Sequence, residues 1–325
     1  MIIKKLKIIF FLHICFNMTN EKLIVDGFIF YPHKKEFLTN EIKINDLVGF
    51  GSFAHVYDLL LDSNYVDFVL RFTKVKKSEY NGILIQHMLD HPNILKVFEY
   101  GFYEKNDKFS KFDKLEGKGI YSVNELASNE LLDYYKNLSV VSDYKLIKSI
   151  FYNILIGVKY IHSKKVIHND LKPENILIVE DIDSGDVKIS DFGGSFVESK
   201  FNNLCYGTPK YMAPEKFIIN KLKNGSKYLE YIATINPYKF DSFSIGVMMY
   251  ELIFKEDVPR FRKGNTIYPF INFNSKHFEL LKVKRVSLYN LLVGLLDNNN
   301  KTRLSVDQVL ENPWFDSIKF EDILF

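Results

Sequence analysis

Eight consecutive residues, 168–175, bring together side chains whose chemistry suits the transfer of a phosphoryl group. They read HNDLKPEN, and the tripeptide DFG follows at residues 191–193. Asp170 supplies an acid and Lys172 supplies a cation. Asn175 and Asp191 supply the hard oxygen atoms that Mg²⁺ prefers as ligands. An acid, a cation and two metal ligands are what is needed to move a phosphoryl group from a magnesium-bound nucleotide.

A fold must position these residues, and the pattern of the chain predicts a β-rich first third. Strand-like runs occupy residues 56–61, 68–72, 94–102 and 120–126. Helical spacing of apolar residues at 78–89 ends at a turn that Pro92 enforces. The charged stretch 104–118 is expected to be an exposed hairpin loop.

Helical character dominates the remainder. Asp143–His162 is a strong amphipathic helix, because its apolar residues recur on one face. Short strands are predicted beside the catalytic run at 176–179 and 187–190, and later helices at 241–253, 287–296 and 305–311. A β-rich part followed by an α-rich part predicts an α+β fold with two lobes and a cleft between them.

Composition narrows the range of partners. The 325-residue chain is 47% hydrophobic, as a packed globular protein requires, and its net charge of +3 is too small to argue for nucleic acid or membrane binding. Cys15 and Cys205 are the only cysteines and form neither a metal-ligand spacing nor a disulfide framework. This usage suits a reducing compartment, so we expect a cytoplasmic protein.

A glycine-containing run, GFGSFAHV at residues 49–56, precedes two of the predicted strands. Glycines allow the backbone to lie close to phosphate groups, and exposed N–H groups meet their charge. With the catalytic run far downstream, this run favours nucleotide binding over an ordinary hairpin turn.

These separated motifs occur in the order typical of eukaryotic protein kinases, and from about Ile44 to Phe315 the chain resembles a divergent serine/threonine member of that family. The resemblance implies that Asp170 is the catalytic base, that Lys172 neutralises the transferred group, and that Asn175 and Asp191 hold Mg²⁺. It implies that His168 supports the loop and packs under Phe192. It also implies ATP contacts from Gly49, Gly51, Ser52, Phe53, Val56, Arg71, Glu125, Ala127 and Leu177.

The run GTPKYMAPE at residues 207–215 resembles the segment that receives a peptide, which implies a protein substrate with a Ser or Thr hydroxyl. The family pattern also pairs Glu215 with Arg303 in a buried ion pair. Asp241 matches the residue that holds the catalytic loop from below, with Phe243 where the family usually has Trp. The stretch 216–239 is longer than the family usually has there; it is either a docking site or a surface insertion, and we expect the insertion.

The nucleotide anchor departs from the family pattern. Arg71 stands where the third strand normally carries Lys, and a guanidinium is bulkier and donates in other directions than an ammonium. Lys74 should face the other side of a regular strand. Gly82 stands where the partner glutamate is expected, whereas Glu79 lies almost one turn earlier. Glu79 either reaches Arg71 through a displaced helix or is exposed to solvent.

A third departure is Asn169, where most members have an Arg that receives an activation-loop phosphate. We therefore expect a protein that is not switched on in that way. Ser195, Ser199 and Thr208 are then ordinary loop residues, and Cys205 is an ordinary small residue rather than a redox switch.

The resemblance divides the chain into a leader at 1–17, an extension at 18–43 and a kinase domain at 44–320, with lobes at 44–126 and 127–320. The leader has basic then apolar residues like a signal peptide, but it is too short to span a bilayer. Three alternatives stay open: translation starts at Met18, the leader is a signal sequence of a secreted protein, or it is a surface helix.

Two functions are compatible with these residues. One is an active, monomeric serine/threonine kinase that uses ATP and Mg²⁺ with an unusual anchor. The other is a pseudokinase that binds or scaffolds, since both halves of the anchor are altered. The complete set of base and metal ligands favours the active enzyme.

Overall fold

The computed structural model describes residues 22–26, 28–33, 42–50, 54–61, 64–105, 115, 117–137, 144–178, 186–198, 204–222, 225–263 and 266–321. These residues form two compact units. The first contains the described residues up to Met88 together with Lys96–Leu126, and the second contains Leu89–Leu95 and those from Ala127 onward. The first unit is β-rich and the second is mainly helical, which confirms the predicted α+β class.

The first unit is built on a seven-stranded antiparallel sheet with the order β1-β2-β6-β7-β5-β4-β3. Its strands are β1 (Leu23–Val25), β2 (Phe28–Pro32), β3 (Ile42–Phe50), β4 (Ala54–Leu61), β5 (Asn64–Thr73), β6 (Val97–Lys105) and β7 (Lys118–Glu125). The four strands predicted from the sequence are present here as β4 to β7.

The hairpin of β1 and β2 comes from the segment that the sequence resemblance leaves outside the kinase domain. In β2, alternate residues are buried, as a strand with one face on the core requires. Phe28 and Phe30 are fully buried among the rings of Phe72, Tyr103 and Tyr121. The hairpin therefore supplies a substantial part of this unit's apolar core.

The two ends of the sheet also meet. The Ile44 amide of β3 donates to the carboxylate of Asp26, which follows β1, over 2.6 Å. A sheet whose first strand contacts its last strand is strongly curled, so the hairpin covers an edge that would otherwise be open.

Helix α1 (Lys77–His87) packs on this sheet through aromatic contacts. Tyr80 stacks on Phe102 of β6 with ring centres 5.5 Å apart, and Tyr80 and Ile83 share a buried cluster with residues of β6 and β7. This packing sets the rotation of α1 and so the direction of its first turn.

The charged stretch 104–118 is exposed in part. Its ends extend β6 and β7, where the side chains of Glu104 and Lys118 are exposed, whereas Leu115 is buried in the core of the sheet. The expectation of an exposed loop is therefore wrong at Leu115, because its apolar side chain packs into the core. Residues 106–114 and 116 lie outside the described residues.

The helices of the second unit are α2 (Leu131–Asn137), α3 (Tyr144–Ser163), α4 (Pro214–Leu222), α5 (Ser226–Ile232), α6 (Tyr238–Phe254), α7 (Lys276–Lys284), α8 (Val286–Leu295), α9 (Val306–Leu310) and α10 (Asp316–Glu321). None of the helices in the described ranges combines the length and the apolar character that crossing a membrane would need.

Short strands complete this unit. They are β8 (Asn129–Glu130), β9 (Val166–Ile167), β10 (Ile176–Ile178), β11 (Val187–Ile189), β12 (Phe196–Val197), β13 (Arg260–Lys263) and β14 (Thr266–Ile271), with 3₁₀ turns at Pro173–Asn175, Phe192–Gly194 and Pro313–Phe315. β10 pairs with β11 and β8, and β9 pairs with β12. These pairings fix both ends of the catalytic run and the strand that leads to Asp191.

Helix α6 is the centre of the second unit. It is apolar on nearly all sides and buried along most of its length, as a helix surrounded by protein must be. It contacts α3 and α8, and α3 presents the predicted apolar face with Ile150, Phe151 and Ile154 completely buried. A polar residue in α6 is therefore held rigidly inside the protein.

Candidate active site

Asp241, in the first turn of α6, holds the catalytic loop from beneath. One carboxylate oxygen accepts the backbone N–H of Asn169 at 2.7 Å, and the other accepts the N–H of His168 at 2.9 Å. His162 Nε2 lies 2.9 Å from the same carboxylate. The loop that follows β9 is thus tied to the most buried helix of the unit, as the sequence resemblance predicted.

Asp241 keeps its negative charge although it is completely buried. Burial by itself raises the pKa of this carboxyl, but the hydrogen bond and charge of His162, the charge of His168 and the Asn169 amide together lower it. The aspartate is therefore ionised at neutral pH, and its two loop contacts are charge-assisted hydrogen bonds.

Asp170 is oriented from two directions. Its Oδ1 accepts the backbone N–H of Thr208 at 2.7 Å, and Lys172 Nζ lies 3.7 Å from its Oδ2. Asp170 is largely buried, and Lys172 is more exposed. A carboxylate held by a backbone N–H beside a cation can accept a proton while the cation stabilises charge on a nearby group.

Asn175 and Asp191 provide the donor atoms that the sequence assigns to a metal. The Asn175 Nδ2 donates to the backbone oxygen of Asp170 at 2.8 Å, which fixes the orientation of the amide. Asp191 adopts a left-handed conformation (φ 57°), and its carboxylate accepts the Gly193 N–H at 3.3 Å. One amide oxygen and one carboxylate form a hard donor set that fits Mg²⁺ when phosphate and water complete the shell.

His168 supports the site from below rather than acting on a substrate. It is completely buried, its Nε2 lies 2.9 Å from the Ser190 carbonyl oxygen, and its ring centre is 4.8 Å from that of Phe192. This is the supporting position that the sequence predicted. The hydroxyl of Ser195 donates to the His168 carbonyl at 3.0 Å and is buried, as suits a structural loop residue.

In the first unit, three of the expected nucleotide contacts lie side by side across the sheet. Gly49 pairs with Val56, and Val56 pairs with Arg71 on the next strand. A Cβ on Gly49 would lie 3.3 Å from Cβ of Val56, so any other residue here would crowd Val56 across the strand pair. Gly51, Ser52, Phe53 and Ser199 lie outside the described residues.

Arg71 is paired with Glu79. Their closest charged atoms, Nη2 and Oε2, are 3.6 Å apart, and Glu79 is buried in the first turn of α1. A solvent-exposed Glu79 is therefore excluded. Gly82 is also buried, on the same face of α1, and Lys74 is exposed beyond the end of β5. Arginine thus reaches a glutamate almost one turn before the position where the family pattern expects one.

The other residues that are expected to contact the nucleotide are divided between the two units. Glu125 ends β7 in the first unit, where its carboxylate accepts the Lys96 N–H at 3.3 Å. Ala127 and Leu177 belong to the second unit, and Leu177 is the half-exposed residue between two buried neighbours of β10.

Glu215 and Arg303 form the buried pair that the sequence predicted. Two nitrogens of the guanidinium meet the two carboxylate oxygens at 2.6 and 2.9 Å, and Arg303 is completely buried. Phe243 lies beneath the guanidinium at 4.9 Å, so an aromatic face is kept where the family usually has Trp. Asn300 Nδ2 donates to the same carboxylate at 2.8 Å.

Sequence reasoning missed Lys216. It lies in the stretch 216–239 that was expected to be a surface insertion, yet it is buried within α4. The expectation is wrong at this residue because the stretch begins inside a packed helix. The spacing of Lys216 and Ile219 on one face of that helix is the signal that could have revealed it.

The fold is of the α+β class, and the catalytic loop brings together residue types that suit phosphoryl transfer. The family model described as "Protein kinase domain" matches residues 42–315, which is most of the chain. The chain therefore belongs to the protein kinase family.

Among curated relatives, the chain is similar to Aurora kinase C of Mus musculus, with 29% identity over 292 residues covering 86% of this chain and 94% of the relative. It is 27% identical over 292 residues to CBL-interacting serine/threonine-protein kinase 14 of Arabidopsis thaliana, covering 86% of this chain and 59% of that protein. It is 32% identical over 252 residues to calcium-dependent protein kinase 5 of Plasmodium falciparum (isolate 3D7), covering 74% of this chain and 38% of the relative. The chain thus spans well under two thirds of the last two proteins.

Proposed function

We propose that this protein is an active serine/threonine protein kinase that transfers the γ-phosphoryl group of ATP to a protein hydroxyl. The observation that carries the proposal is the ordered catalytic loop. Asp241 holds its backbone, and the Thr208 amide holds the carboxylate of Asp170. Such preorganisation is what positioned acid–base catalysis requires.

Each residue of the loop then has a distinct task. Asp170 orients the substrate hydroxyl and accepts its proton, and Lys172 neutralises charge on the transferred group. Asn175 and Asp191 would hold Mg²⁺, which supplies charge neutralisation on the nucleotide phosphates. Main-chain and amide contacts keep these residues in place before any substrate binds.

The Arg71–Glu79 pair would take over the role of the usual lysine–glutamate anchor. Arg71 keeps a permanent positive charge beside the glycine-containing strands, and Glu79 holds the guanidinium from α1. The pair supports an anchor of altered geometry, and we infer a slower reaction on that ground.

The substrate class and the cellular setting are proposed from other observations. The GTPKYMAPE segment and the similarity to CBL-interacting serine/threonine-protein kinase 14 support a protein substrate phosphorylated on Ser or Thr. One chain carries every site residue, which supports a monomer. Cys205 is a free thiol, which supports a reducing, cytoplasmic setting.

Magnesium-dependent transfer of labelled phosphate to a generic basic protein tests the proposal, with Asp170→Asn as the control. We expect wild-type incorporation well above that of the variant, because asparagine cannot accept the hydroxyl proton. Equal incorporation by the two proteins would refute the proposed activity.

The altered anchor also favours a second function, that of a pseudokinase acting as a binding or scaffolding module. Gly82 leaves the expected glutamate position empty, and the Arg71–Glu79 contact is longer than an ideal charge-assisted hydrogen bond. A thermal shift measured with ATP and Mg²⁺ separates the cases. Stabilisation without phosphate transfer indicates a nucleotide-binding pseudokinase, and no stabilisation excludes nucleotide binding in either role.

A further inference from the structure

Lys216 is a lysine placed entirely inside the second unit, directly after Glu215 in α4. Only 2% of it is exposed, and lysine is seldom buried without partners. Burial lowers the pKa of Lys216 to about 8, against the opposing effect of nearby acidic groups. Those groups are Asp241, Asp170, Glu215 and Cys205.

The ammonium group of Lys216 donates hydrogen bonds to the catalytic loop. Nζ donates to the backbone oxygen of Asn169 at 3.0 Å and to its side-chain Oδ1 at 2.7 Å. It also lies 5.2 Å from the ring centre of Phe240, which adds a cation–π contact from α6. Two of its contacts therefore converge on one residue, the immediate neighbour of Asp170.

Asn169 in turn connects Lys216 to two other parts of the second unit. Its Nδ2 donates to the Gly194 carbonyl at 3.0 Å, beyond the DFG tripeptide, while its backbone N–H binds Asp241. Its φ of 71° is a left-handed conformation that asparagine tolerates better than most residues. The carboxamide thus joins the lysine on one side to the segment that carries Asp191 on the other.

The activation segment, which includes the run 207–215, also lies against Lys216 and Asn169. A Cβ on Gly207 would lie 2.9 Å from the Asn169 oxygen and 3.1 Å from Lys216 Nζ, and Gly207 has a φ of 131°. Only glycine suits both the conformation and the close approach. The next residue, Thr208, donates its amide to Asp170. The catalytic loop, the DFG segment and the activation segment therefore all contact one buried cation or its asparagine.

We propose that Lys216 is a positioning residue, which orders the catalytic loop and the activation segment through Asn169 and so keeps Asp170 in place without a phosphate on the activation segment. The inference rests on the proposed kinase function. A lysine enclosed in the fold needs no modification to make these contacts, so the ordering it provides does not depend on phosphorylation.

The first test compares Lys216→Met with Lys221→Met. Both change lysine to an unbranched apolar side chain on α4, but Lys221 is exposed. We expect Lys216→Met to lower kcat about 100-fold, the size of effect that a misplaced catalytic group produces, with KM for ATP changed less than about 2-fold. Lys221→Met should keep both constants. A normal kcat in Lys216→Met, or a loss confined to melting temperature, refutes the inference.

The second test uses Asn169→Gly, which keeps the left-handed backbone and deletes the carboxamide. This variant should lower kcat in the same way. Lys216→Met should then cost less than it does in the wild type, because the carboxamide is already gone and only the backbone oxygen of residue 169 remains as an acceptor for Lys216. Additive losses would refute the linkage. Asn169→Gly also serves as the test if Lys216→Met does not fold.

Hydrogen exchange distinguishes failure of this inference from failure of the kinase proposal. If the wild type transfers no phosphate, the kinase proposal fails, and exchange in peptides 166–175 and 204–215 then decides the role of Lys216. If Lys216 has the ordering role, both peptides should exchange faster in Lys216→Met than in the wild type, and neither should do so in Lys221→Met. Unchanged exchange refutes it.

Discussion

Replacing Glu79 with Gln tests the atypical nucleotide anchor, because glutamine keeps the shape of the side chain and removes its charge. Arg71 Nη2 and Glu79 Oε2 are 3.6 Å apart, and the side chains are only 19% and 9% exposed. At that separation two unit charges attract by about 1 kcal/mol in water and about 5 kcal/mol at an effective dielectric constant of about 20. The two side chains lose hydration when they are buried, which offsets part of the attraction of about 5 kcal/mol.

We therefore expect a net effect of about 2 kcal/mol, between these two Coulomb values, which corresponds to about a 30-fold fall in kcat/KM for ATP. The assay is steady-state phosphorylation of a generic basic protein at varied ATP and fixed Mg²⁺. In an Arg71→Met background the same Glu79→Gln change should cost less than about 3-fold, since the partner charge is already gone.

Glu104→Gln is the matched control. Glu104 lies closer to its partner Lys118, at 2.8 Å, but both side chains are exposed and solvent screens their attraction. This variant should leave kcat/KM unchanged. If Glu79→Gln behaves like Glu104→Gln, or if the Arg71 and Glu79 effects simply add, the pair is not an anchor.

Three further changes test other parts of the structure. Arg71→Lys should raise activity little by itself and more when combined with Gly82→Glu, because the shorter ammonium needs a partner later in α1; a large gain in kcat/KM from the single change would contradict this. Arg303→Met leaves the Glu215 carboxylate buried without its cation and should lower the free energy of unfolding by about 3–5 kcal/mol in urea titrations, whereas a loss below about 1 kcal/mol would show that the pair is dispensable. The lowered pKa of Lys216, about 8 against an ordinary 10.5, means that the unfolded chain binds more protons between those pH values. The free energy of unfolding of the wild type should therefore rise there relative to Lys216→Met, by up to about 1.4 kcal/mol per pH unit; parallel stability curves would refute it.

Local patterns predicted much of the fold. Helix α3 was expected at 143–162 and is described at Tyr144–Ser163, because its apolar spacing continues over five turns and leaves one possible buried face. Strands β4, β5 and β7 were recognised in the same way from short apolar runs. The start of β6 was placed three residues early, since Ile94 is apolar but forms an isolated bridge to Ile189 instead of joining that strand.

The hairpin of β1 and β2 was not predicted, and the reason is distance along the chain. Its partner β6 lies about 70 residues downstream, and nothing in the sequence of β2 specifies that pairing. The burial of Phe28 and Phe30 depends on residues from several strands that meet only when the sheet curls.

The sequence by itself determined which chemical groups the site contains, because the base, the cation and the metal ligands stand in contiguous motifs whose identity does not depend on packing. It also predicted the Glu215–Arg303 pair and the place of Asp241 through the family resemblance. Only the tertiary structure decided which glutamate meets Arg71, since that depends on how α1 is rotated on the sheet. Only the tertiary structure enclosed Lys216 against Asn169, because that contact joins two segments 47 residues apart.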